Sequence, residues 1–451
     1  MPDGQNCQSS SCVLIEAQQF MGVYKPGYGA TGIFEFRRAS RLYPGRKRYS
    51  SGALLMKVCM VAYTFYEQDN RVRRYAETLA KRGDRVDVVA LRREGQSSKD
   101  VIGGVCVFRI QRRALNEKGK FTYLGRLLFF FLRSLVFLTW KQLRERYDLI
   151  HVHSVPDFEV FAALFPKLTG SKIILDIHDL VPEFYVSKFK ASSNSLAFKL
   201  LVTVERMSAA FADHVIAANH IWLKRLHERS VRSADCTVIL NFPDTDIFHL
   251  RGRNRNDRKF IVVYPGTLNY HQGVDLAVRA FALIADKSPE AEFHIYGDGD
   301  QADFLKTLIA ELSLQERVFL KGSRSLEEIA VIMENSDLGV VSKRKDGFGN
   351  EAFSTKIFEF MSLDVPVIVP ETAIDRYYFN DSLVKFFQAN DEKSLAEAML
   401  QLIKNPGLRQ ELVRNAREFV KGHTWEKNKR IYLDLVDSLV PPAGRQVTAK
   451  G

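Results

Sequence analysis

The sequence has few cysteines, and their positions argue against two common kinds of stabilising site. Its 451 residues include five cysteines without a CxxC pair: Cys7, Cys12, Cys59, Cys106 and Cys236. An odd number without that spacing indicates neither a disulfide framework nor a zinc site. We therefore expect a protein of a reducing compartment that has no metal site.

The sequence also lacks a concentrated basic region, although its formal net charge is +12. Residues 1–55 contribute +4 of this charge and residues 441–451 contribute +2, which leaves +6 for the body of the chain. Nucleic-acid-binding proteins usually carry a dense basic strip with interleaved aromatic residues, and the sequence has none. A modest excess suits phosphate-bearing small molecules or an anionic membrane face, so nucleic acid is not an expected partner.

The beginning of the chain lacks a positively charged segment followed by an apolar run, so no secretory signal is indicated. Residues 1–55 show neither helical nor strand periodicity and are rich in Gly, Ser, Tyr and Arg. We expect this extension to be disordered and the biological start to lie at Met56, where an apolar strand begins. The expected location is cytoplasmic.

The alternation of strands and helices predicts two α/β domains, as does the length of the chain. Apolar strands alternate with helical segments in residues 56–248, and a second series of the same kind occupies residues 260–425. Continuous apolar strands between helices are typical of parallel sheets covered on both faces. We predict two Rossmann-like domains whose parallel sheets face each other across a cleft, where a ligand would bind.

The other segments connect or end these domains. The polar and basic residues 249–259 are the expected linker. Residues 426–440 are predicted to form a C-terminal helix that returns toward the first domain, and residues 441–451 are expected to be a disordered tail.

The most informative pattern is a pair of glutamates, Glu351 and Glu359, in the segment FGNEAFSTKIFEFM (348–361). A loop there leads into a helix that we expect to begin near Ser354. The free N–H groups and positive dipole end of such a helix bind a diphosphate without a metal ion. Glu359, about one turn along, would accept hydrogen bonds from a ribose diol, and Glu351 would hold sugar hydroxyls. A solvated helix face is the alternative explanation.

This segment resembles the Glu-x7-Glu signature of the family 4 retaining GT-B glycosyltransferases. The order of other landmarks between Met56 and about Trp425 is similar to that family: YDLIHVH (147–153), DIHDL (176–180), ADHVIAA (212–218), YGDG (296–299) and DVPVIV (364–369). The resemblance implies the GT-B fold, a nucleotide-sugar donor bound by the C-terminal domain, and a glycan or lipid-linked acceptor bound by the N-terminal domain. It also implies transfer with retention, without a metal or other cofactor, in exopolysaccharide or cell-envelope glycan synthesis.

The resemblance assigns the chemistry to His178 and Glu351. His178 follows the strand at residues 172–176, and in the family a histidine at this place reaches the donor sugar and the leaving group. A hydrogen-bond donor there assists departure of the nucleotide. A histidine that caps a loop is the alternative.

Other residues are candidates on the acceptor side. His153 stands at the end of a strand, whereas His151 on the same strand is expected to be buried. Asp69 and Arg71 follow the first strand, and they either line the acceptor cleft or cap the first helix.

The donor side departs from the family pattern. Gly266 would let the backbone approach the phosphates, but Thr267 and Gln272 stand where many members have an Arg and a Lys that hold the diphosphate. We expect one or more neighbouring cations, among them Lys343 and Lys356, to replace this charge, and an ordinary basic loop is the alternative.

Five further residues complete the predicted donor site. Phe353, Ser354 and Thr355 surround the expected start of the helix. Gly322 and Arg324 follow a strand and are candidate neighbours of the nucleotide base, for which a turn that closes the strand is the alternative.

Residues 121–140 form an apolar run long enough to span a membrane. Arg126 and Arg133 argue against a span, because a charged side chain is costly at the centre of a bilayer. An interfacial helix at the inner leaflet would use both features. A buried scaffold helix of the first domain is the interpretation that we favour, and membrane contact is the alternative.

Two other functions fit the same residues. A nucleotide-sugar epimerase or a phosphorylase could use the same fold, and an epimerase would convert its donor without any acceptor. A catalytically silent nucleotide-binding scaffold is suggested by Thr267 and Gln272.

Overall fold

The computed structural model of the protein describes residues 56–113, 120–189 and 191–441. Two α/β domains follow one another along the chain, and each is built on one sheet. The expectations for residues 1–55 and for the tail beyond Pro441 lie outside the described residues.

The first domain alternates strands and helices around a largely parallel sheet. Its elements are β1 (Lys57–Ala62), α1 (Asn70–Arg82), β2 (Arg85–Arg92), β3 (Lys99–Ile102), β4 (Val105–Arg112), α2 (Lys120–Glu145), β5 (Leu149–His153), α3 (Leu164–Leu168), β6 (Lys172–Ile177), α4 (Val181–Phe189), α5 (Leu196–Phe211), β7 (His214–Ala217), α6 (His220–Arg229) and β8 (Cys236–Val238). The strand order is β3-β4-β2-β1-β5-β6-β7-β8, and β3 is antiparallel to β4. The central strands are buried along almost their whole length, as a sheet covered on both faces requires.

The second domain repeats this construction with a parallel sheet. Its elements are β9 (Phe260–Pro265), α7 (Val274–Ala282), β10 (Ala291–Tyr296), α8 (Ala302–Glu311), β11 (Val318–Leu320), α9 (Leu326–Glu334), β12 (Leu338–Val340), α10 (Thr355–Ser362), β13 (Val367–Pro370), α11 (Ala373–Tyr378), β14 (Lys385–Phe387), α12 (Glu392–Lys404), α13 (Pro406–Val420) and a final helix, α14 (Trp425–Leu439). The strand order is β11-β10-β9-β12-β13-β14. The predicted pair of parallel sheets is thus confirmed.

Strand register brings the loops of the site together. Ala62, His153 and Asp176 end or nearly end three adjacent parallel strands, and they lie side by side. The loops that follow these strands therefore leave the first sheet at one edge. In the second domain, Tyr296 pairs with Pro265 in the same way, so the loops after β9 and β10 also start next to each other.

The final helix α14 packs on the first domain, although the chain reaches it from the second. Tyr432 is fully buried, and its hydroxyl lies 3.0 Å from Nδ1 of His151. The Trp425 indole N–H donates to the Thr78 hydroxyl at 2.9 Å. The chain therefore crosses between the domains twice.

The basic segment 249–259 is held against the second domain by ion pairs. Arg253 and Arg255 reach the Asp337 carboxylate at 2.5 and 2.6 Å. Glu334 accepts hydrogen bonds from the N–H groups of Arg251 and Gly252 at 2.6 and 2.9 Å. The positive charge of segment 249–259 is thus largely paired with carboxylates of the second domain, which fixes the connection between the two domains.

The helix α2 corrects the favoured interpretation of residues 121–140. One face packs on the first domain through Phe130, Ser134 and Leu138, which are fully buried. Within this helix Thr122–Glu145 is long and apolar enough to cross a membrane by length and composition, but only 22% of its most apolar window is buried. The opposite face carries exposed apolar side chains: Leu124, Leu128, Leu132, Val136 and Leu143. The buried-scaffold interpretation was wrong for this face, because the domain covers the helix on one side.

We expect Tyr432→Phe to destabilise the protein by about 1–3 kcal/mol, because the change leaves the buried Nδ1 of His151 without its partner. The free energy of unfolding from urea denaturation, followed by tryptophan fluorescence, measures the effect. Tyr185→Phe is the control, since Tyr185 lies outside this contact and its ring packs near Phe189. Equal stability of the two variants would contradict the assigned role of α14.

Candidate active site

A cavity of about 490 Å³ lies between the two domains and is lined by both. The first domain contributes Thr64, Gln68, Asp69, Arg71, His178, Asp179, Asn219, Trp222 and Asn241, and the second contributes His271, Gln272, Phe348, Ala352, Phe353 and Thr355. The cavity thus contains members of the predicted donor and acceptor sets.

The N-terminus of α10 faces this cavity with unused hydrogen-bond donors. Ser354 is the N-cap residue, but its side chain makes no capping hydrogen bond. Within the described residues, the N–H groups of residues 353–356 have no acceptor. Phe353 and Thr355 line the cavity. Unsatisfied N–H groups at the positive end of a helix dipole form an anion site.

Lys356 brings a cation to the same place. A methyl group on Gly266 would lie 2.5 Å from Cε and 3.0 Å from Nζ of Lys356, so the ammonium lies against this glycine. Gly266 has φ +148°, a conformation that other residues rarely adopt. No hydrogen bond or ion pair holds this ammonium in the part of the chain that the structure describes, and its nearest aromatic ring is that of Tyr264 at 5.7 Å. Burial lowers the pKa of Lys356, and Glu359 partly offsets this.

Glu359 lies one turn further along α10. Burial raises the pKa of its carboxyl group, while the Lys356 ammonium and the Thr355 hydroxyl act in the opposite direction. An anionic ligand beside Lys356 would therefore find a neighbouring carboxyl group that accepts or donates hydrogen bonds. The predicted juxtaposition of a helix N-terminus, a cation and Glu359 is present.

The predicted base-side residues lie on adjoining loops. Gly266 N–H donates to Tyr296 O at 2.8 Å, and Gly297 N–H donates to Gly322 O at 3.0 Å. A side chain on Gly297 would overlap the carbonyl oxygen of Gly266, so the loops are closely packed. The exposed Arg324 follows at the rim of the same edge.

Thr267 is exposed beside Gly266, and its carbonyl oxygen accepts a hydrogen bond from the Tyr264 hydroxyl at 2.9 Å. Gln272, on the cavity wall, lies 3.3 Å from the same hydroxyl. These two positions therefore bring polar groups without charge to the predicted diphosphate site.

Lys343 has a different position from the predicted one. Its ammonium forms an ion pair with Asp375 at 2.9 Å and donates to the carbonyl oxygens of Gly349 and Ala352 at 3.1 and 2.6 Å. The side chain is buried, and burial lowers its pKa. Lys343 thus fixes the loop before α10 from beneath, and its charge is used by Asp375 and these carbonyls, which leaves Lys356 to face the donor site.

Glu351 lies at the contact between the domains. Its carboxylate forms an ion pair with Arg225, and Asn219 donates to its carbonyl oxygen at 3.1 Å. Burial raises the pKa of Glu351, and the Arg225 guanidinium opposes this. Glu351 Oε2 has no partner among the described residues. One oxygen is therefore fixed by Arg225, while the other is buried without a partner directly before the cavity residues Ala352 and Phe353.

The charges continue from Glu351 into the first domain. Arg225 also meets Glu183 at 3.3 Å, Arg229 meets Glu183 at 2.7 Å, and Arg229 meets the fully buried Glu205 at 2.5 Å. Five alternating charges thus run from the core of the first domain to the loop before α10. We refer to them as the charge chain.

His178 lies on the cavity wall, as the family resemblance implies for a catalytic histidine. Its Nδ1 is buried and has no hydrogen-bond partner within the described residues. Asp179, which sequence reasoning did not single out, lies beside it, and burial raises the pKa of its carboxyl group. The two side chains offer hydrogen-bonding groups to a ligand at the first-domain side.

The acceptor-side candidates have structural partners. Asp69 caps α1, since its carboxylate accepts from the N–H groups of Arg71 and Val72 at 3.1 Å. Arg71 binds both oxygens of Asp176 at 2.7 Å. Asp69 and Arg71 also line the cavity, so Asp69 both caps α1 and faces the space between the domains. His153 is 1% exposed and lies 3.1 Å from Asp176, away from the cavity wall.

His151, His153 and Asp176 bring ligand-type atoms within 4.8 Å of one another. Both Asp176 oxygens, however, already accept from Arg71, and the guanidinium adds a positive charge where a cation would bind. Burial alone would raise the pKa of Asp176, but Arg71 and His153 hold it well below its usual range. The group is better explained as a buried ion-pair network.

Sequence reasoning missed Asn219, Trp222, Asn241 and Arg225. Asn219 lies two residues beyond the end of β7, and His178 lies one residue beyond the end of β6, so the place of Asn219 after a strand was a usable signal. The sequence around Arg225 gave no such signal, because Arg225 lies 126 residues from its partner Glu351.

Comparisons with known proteins agree with this geometry. The family model "Glycosyltransferase Family 4" matches residues 68–247, and "Glycosyl transferases group 1" matches residues 247–419. The chain is 27% identical to glycosyltransferase MJ1178 of Methanocaldococcus jannaschii over 65% of this chain and 77% of the relative. It is 25% identical to the GDP-mannose:cellobiosyl-diphosphopolyprenol alpha-mannosyltransferase of Xanthomonas campestris over 49% of this chain and 57% of the relative.

Solved structures share the fold. Sucrose-phosphate synthase of Thermosynechococcus elongatus superposes with a TM-score of 0.71 at 18% identity, over 85% of this chain and 100% of the other. Anabaena HepE in complex with UDP and glucose gives 0.64 at 16% identity over the same shares. The two family models together span both domains, and the chain belongs to the family 4 glycosyltransferases of the GT-B fold.

Proposed function

We propose that the protein transfers a sugar from a nucleoside-diphosphate donor to a glycan or lipid-linked acceptor, with retention and without a metal ion. The observation that carries this proposal is the anion site at the start of α10. Free N–H groups, the dipole and the Lys356 ammonium converge there beside Gly266. Together they offset a large part of the diphosphate charge.

The donor would lie along the second domain. Its diphosphate would meet residues 353–356, its ribose would meet Glu359, and its base would lie toward Gly322 and Arg324. The structural neighbour HepE is described in complex with UDP and glucose, so uridine nucleotides are the first to test. The sugar would then project into the cavity toward His178, on the side of the loop that carries Glu351.

Retention needs a covalent nucleophile, or departure and attack on the same face of the sugar. Asp69 already accepts two N–H groups of α1, and burial raises the pKa of Asp179, which disfavours its anion. We therefore favour departure of the diphosphate and attack from one face, with His178 donating a hydrogen bond to the leaving group. Closure of the cavity would exclude water that could hydrolyse the donor.

The proposal extends to the acceptor and to the location of the protein. We propose a saccharide acceptor of exopolysaccharide or cell-envelope synthesis, which is consistent with the name of the Xanthomonas relative. The exposed apolar face of α2 supports a cytoplasmic protein held at the inner face of the membrane.

A thermal-shift panel of nucleoside diphosphates and their sugars tests the proposal. A specific donor raises the unfolding temperature, whereas a protein that no nucleotide stabilises would be neither transferase nor nucleotide-binding scaffold. Product analysis without acceptor then separates transfer from epimerisation. Conversion of the donor sugar in acceptor-free buffer would contradict the proposal.

We expect Lys356→Met to weaken the binding of the stabilising nucleoside diphosphate. A charge-assisted hydrogen bond contributes about 1.5–3 kcal/mol, which is roughly tenfold to hundredfold in Kd. Isothermal titration calorimetry measures the change. Lys345→Met is the matched control, because this exposed lysine lies nearby and outside the anion site. Similar affinities of the two variants would contradict the donor site.

We expect His178→Ala to lower kcat roughly 10²-fold to 10³-fold, because loss of a donor aimed at developing negative charge acts on the transition state. The Kd of the nucleotide should change little, since His178 lies on the first domain. Initial-rate kinetics and calorimetry measure the two effects. His214→Ala is the control, since this histidine bonds Thr237 outside the cavity. A turnover retained within twofold would remove His178 from the mechanism.

A further inference from the structure

A second cavity lies on the first domain, between α2 and strands β3 and β4, and has a volume of about 750 Å³. Its apolar wall includes Phe129, Leu132, Val136 and Trp140 of α2. Leu132 and Val136 are 54% and 68% exposed, and they belong to one contiguous apolar face of α2. We call this feature the α2 groove.

The α2 groove also carries cations without counterions. Arg92 and Lys99 line it, and neither forms an ion pair with any carboxylate in residues 56–113, 120–189 or 191–441. Lys99 lies 5.2 Å from the centre of the Phe108 ring. Arg109 is different, because it pairs with Glu67 and lies 3.6 Å from Asp100. The groove therefore combines an apolar wall with unneutralised positive charge.

The packing of α2 fixes how this surface could meet a membrane. Phe130, Ser134 and Leu138 are fully buried against the domain, so α2 cannot span a bilayer without leaving its own sheet. The apolar stripe continues beyond the groove through Leu124 and Leu143. A helix held in this way lies along a bilayer surface, where basic residues meet anionic headgroups.

We propose that the α2 groove binds one anionic lipid of the bilayer surface. Its phosphate would be held by Arg92 and Lys99, and the first part of its chain would lie along Val136 and Trp140. The proposal rests on the proposed peripheral location and adds a defined lipid site to it. Charge complementarity favours this occupant over a second copy of a chain that is itself basic.

Trp140 provides the measurement. It is 45% exposed, whereas Trp222 and Trp425 are buried at 2% and 6%, so a blue shift of tryptophan emission on ligand binding reports the groove. The full chain is titrated with dodecyl phosphate below its micellar concentration, and separately with inorganic phosphate. Vesicles of phosphatidylglycerol and of phosphatidylcholine form the second arm. We expect saturable blue shifts with dodecyl phosphate and with phosphatidylglycerol vesicles, and no shift with inorganic phosphate or phosphatidylcholine vesicles.

Variants test the two halves of the site. The double change Arg92→Ala and Lys99→Ala should raise the Kd for dodecyl phosphate at least tenfold, about 1.4 kcal/mol, and Val136→Glu should abolish the shift. The control is the double change Lys287→Ala and Lys393→Ala, which removes two exposed charges of the second domain.

Several outcomes would overturn the proposal. They are an equal response to phosphatidylcholine, a shift with inorganic phosphate alone, an unchanged Kd in the Arg92 and Lys99 variant, and no shift with dodecyl phosphate. Nucleotide binding measured on the same samples keeps the two proposals apart. If the protein binds no nucleotide, the blue shift with dodecyl phosphate is still expected. If dodecyl phosphate gives no blue shift, the affinity for the nucleotide is still expected to be unchanged.

Discussion

The charge chain between the domains is the interaction on which the cleft depends. It places Glu351, at its end, in an ion pair with Arg225 across the cleft, while the buried Glu205 anchors its other end. Buried charges are stable only when paired, so loss of one member leaves its neighbours uncompensated. Because the loop that carries Glu351 continues into α10, the same pairing aligns the helix N-terminus with the first domain.

Lys343 and Lys356 have different roles because their surroundings differ: Lys343 stabilises a loop, whereas Lys356 faces the anion site. Lys343 forms an ion pair with Asp375 and donates hydrogen bonds to two carbonyl oxygens. A ligand would have to break these interactions to bind the Lys343 ammonium. Among the described residues Lys356 has no such bonds, and it borders Gly266, where a side chain would collide with the lysine. Thr267 and Gln272 replace the two cations of the family pattern, and the Lys356 ammonium of α10 supplies a cation in their place.

The strand runs and the start of α10 could be predicted because they are local. Apolar runs between helical segments define the strands, and the sequence around Ser354 defines the helix start. Long-range partners could not be predicted. Nothing near Lys343 in the sequence indicates Asp375, and nothing near Glu351 indicates Arg225. The sequence also does not predict which face of α2 is exposed to solvent. Both faces are apolar, and the packing of the domain decides which of them is buried.

The final helix has a consequence for the order in which the chain is made. His151 and Tyr75 belong to the first domain, yet Tyr432 covers them from a helix that follows the second domain in the chain. During synthesis the first sheet therefore carries an open, partly apolar surface until the second domain is complete. The first domain therefore completes its packing only after the helix that follows the second domain has been made.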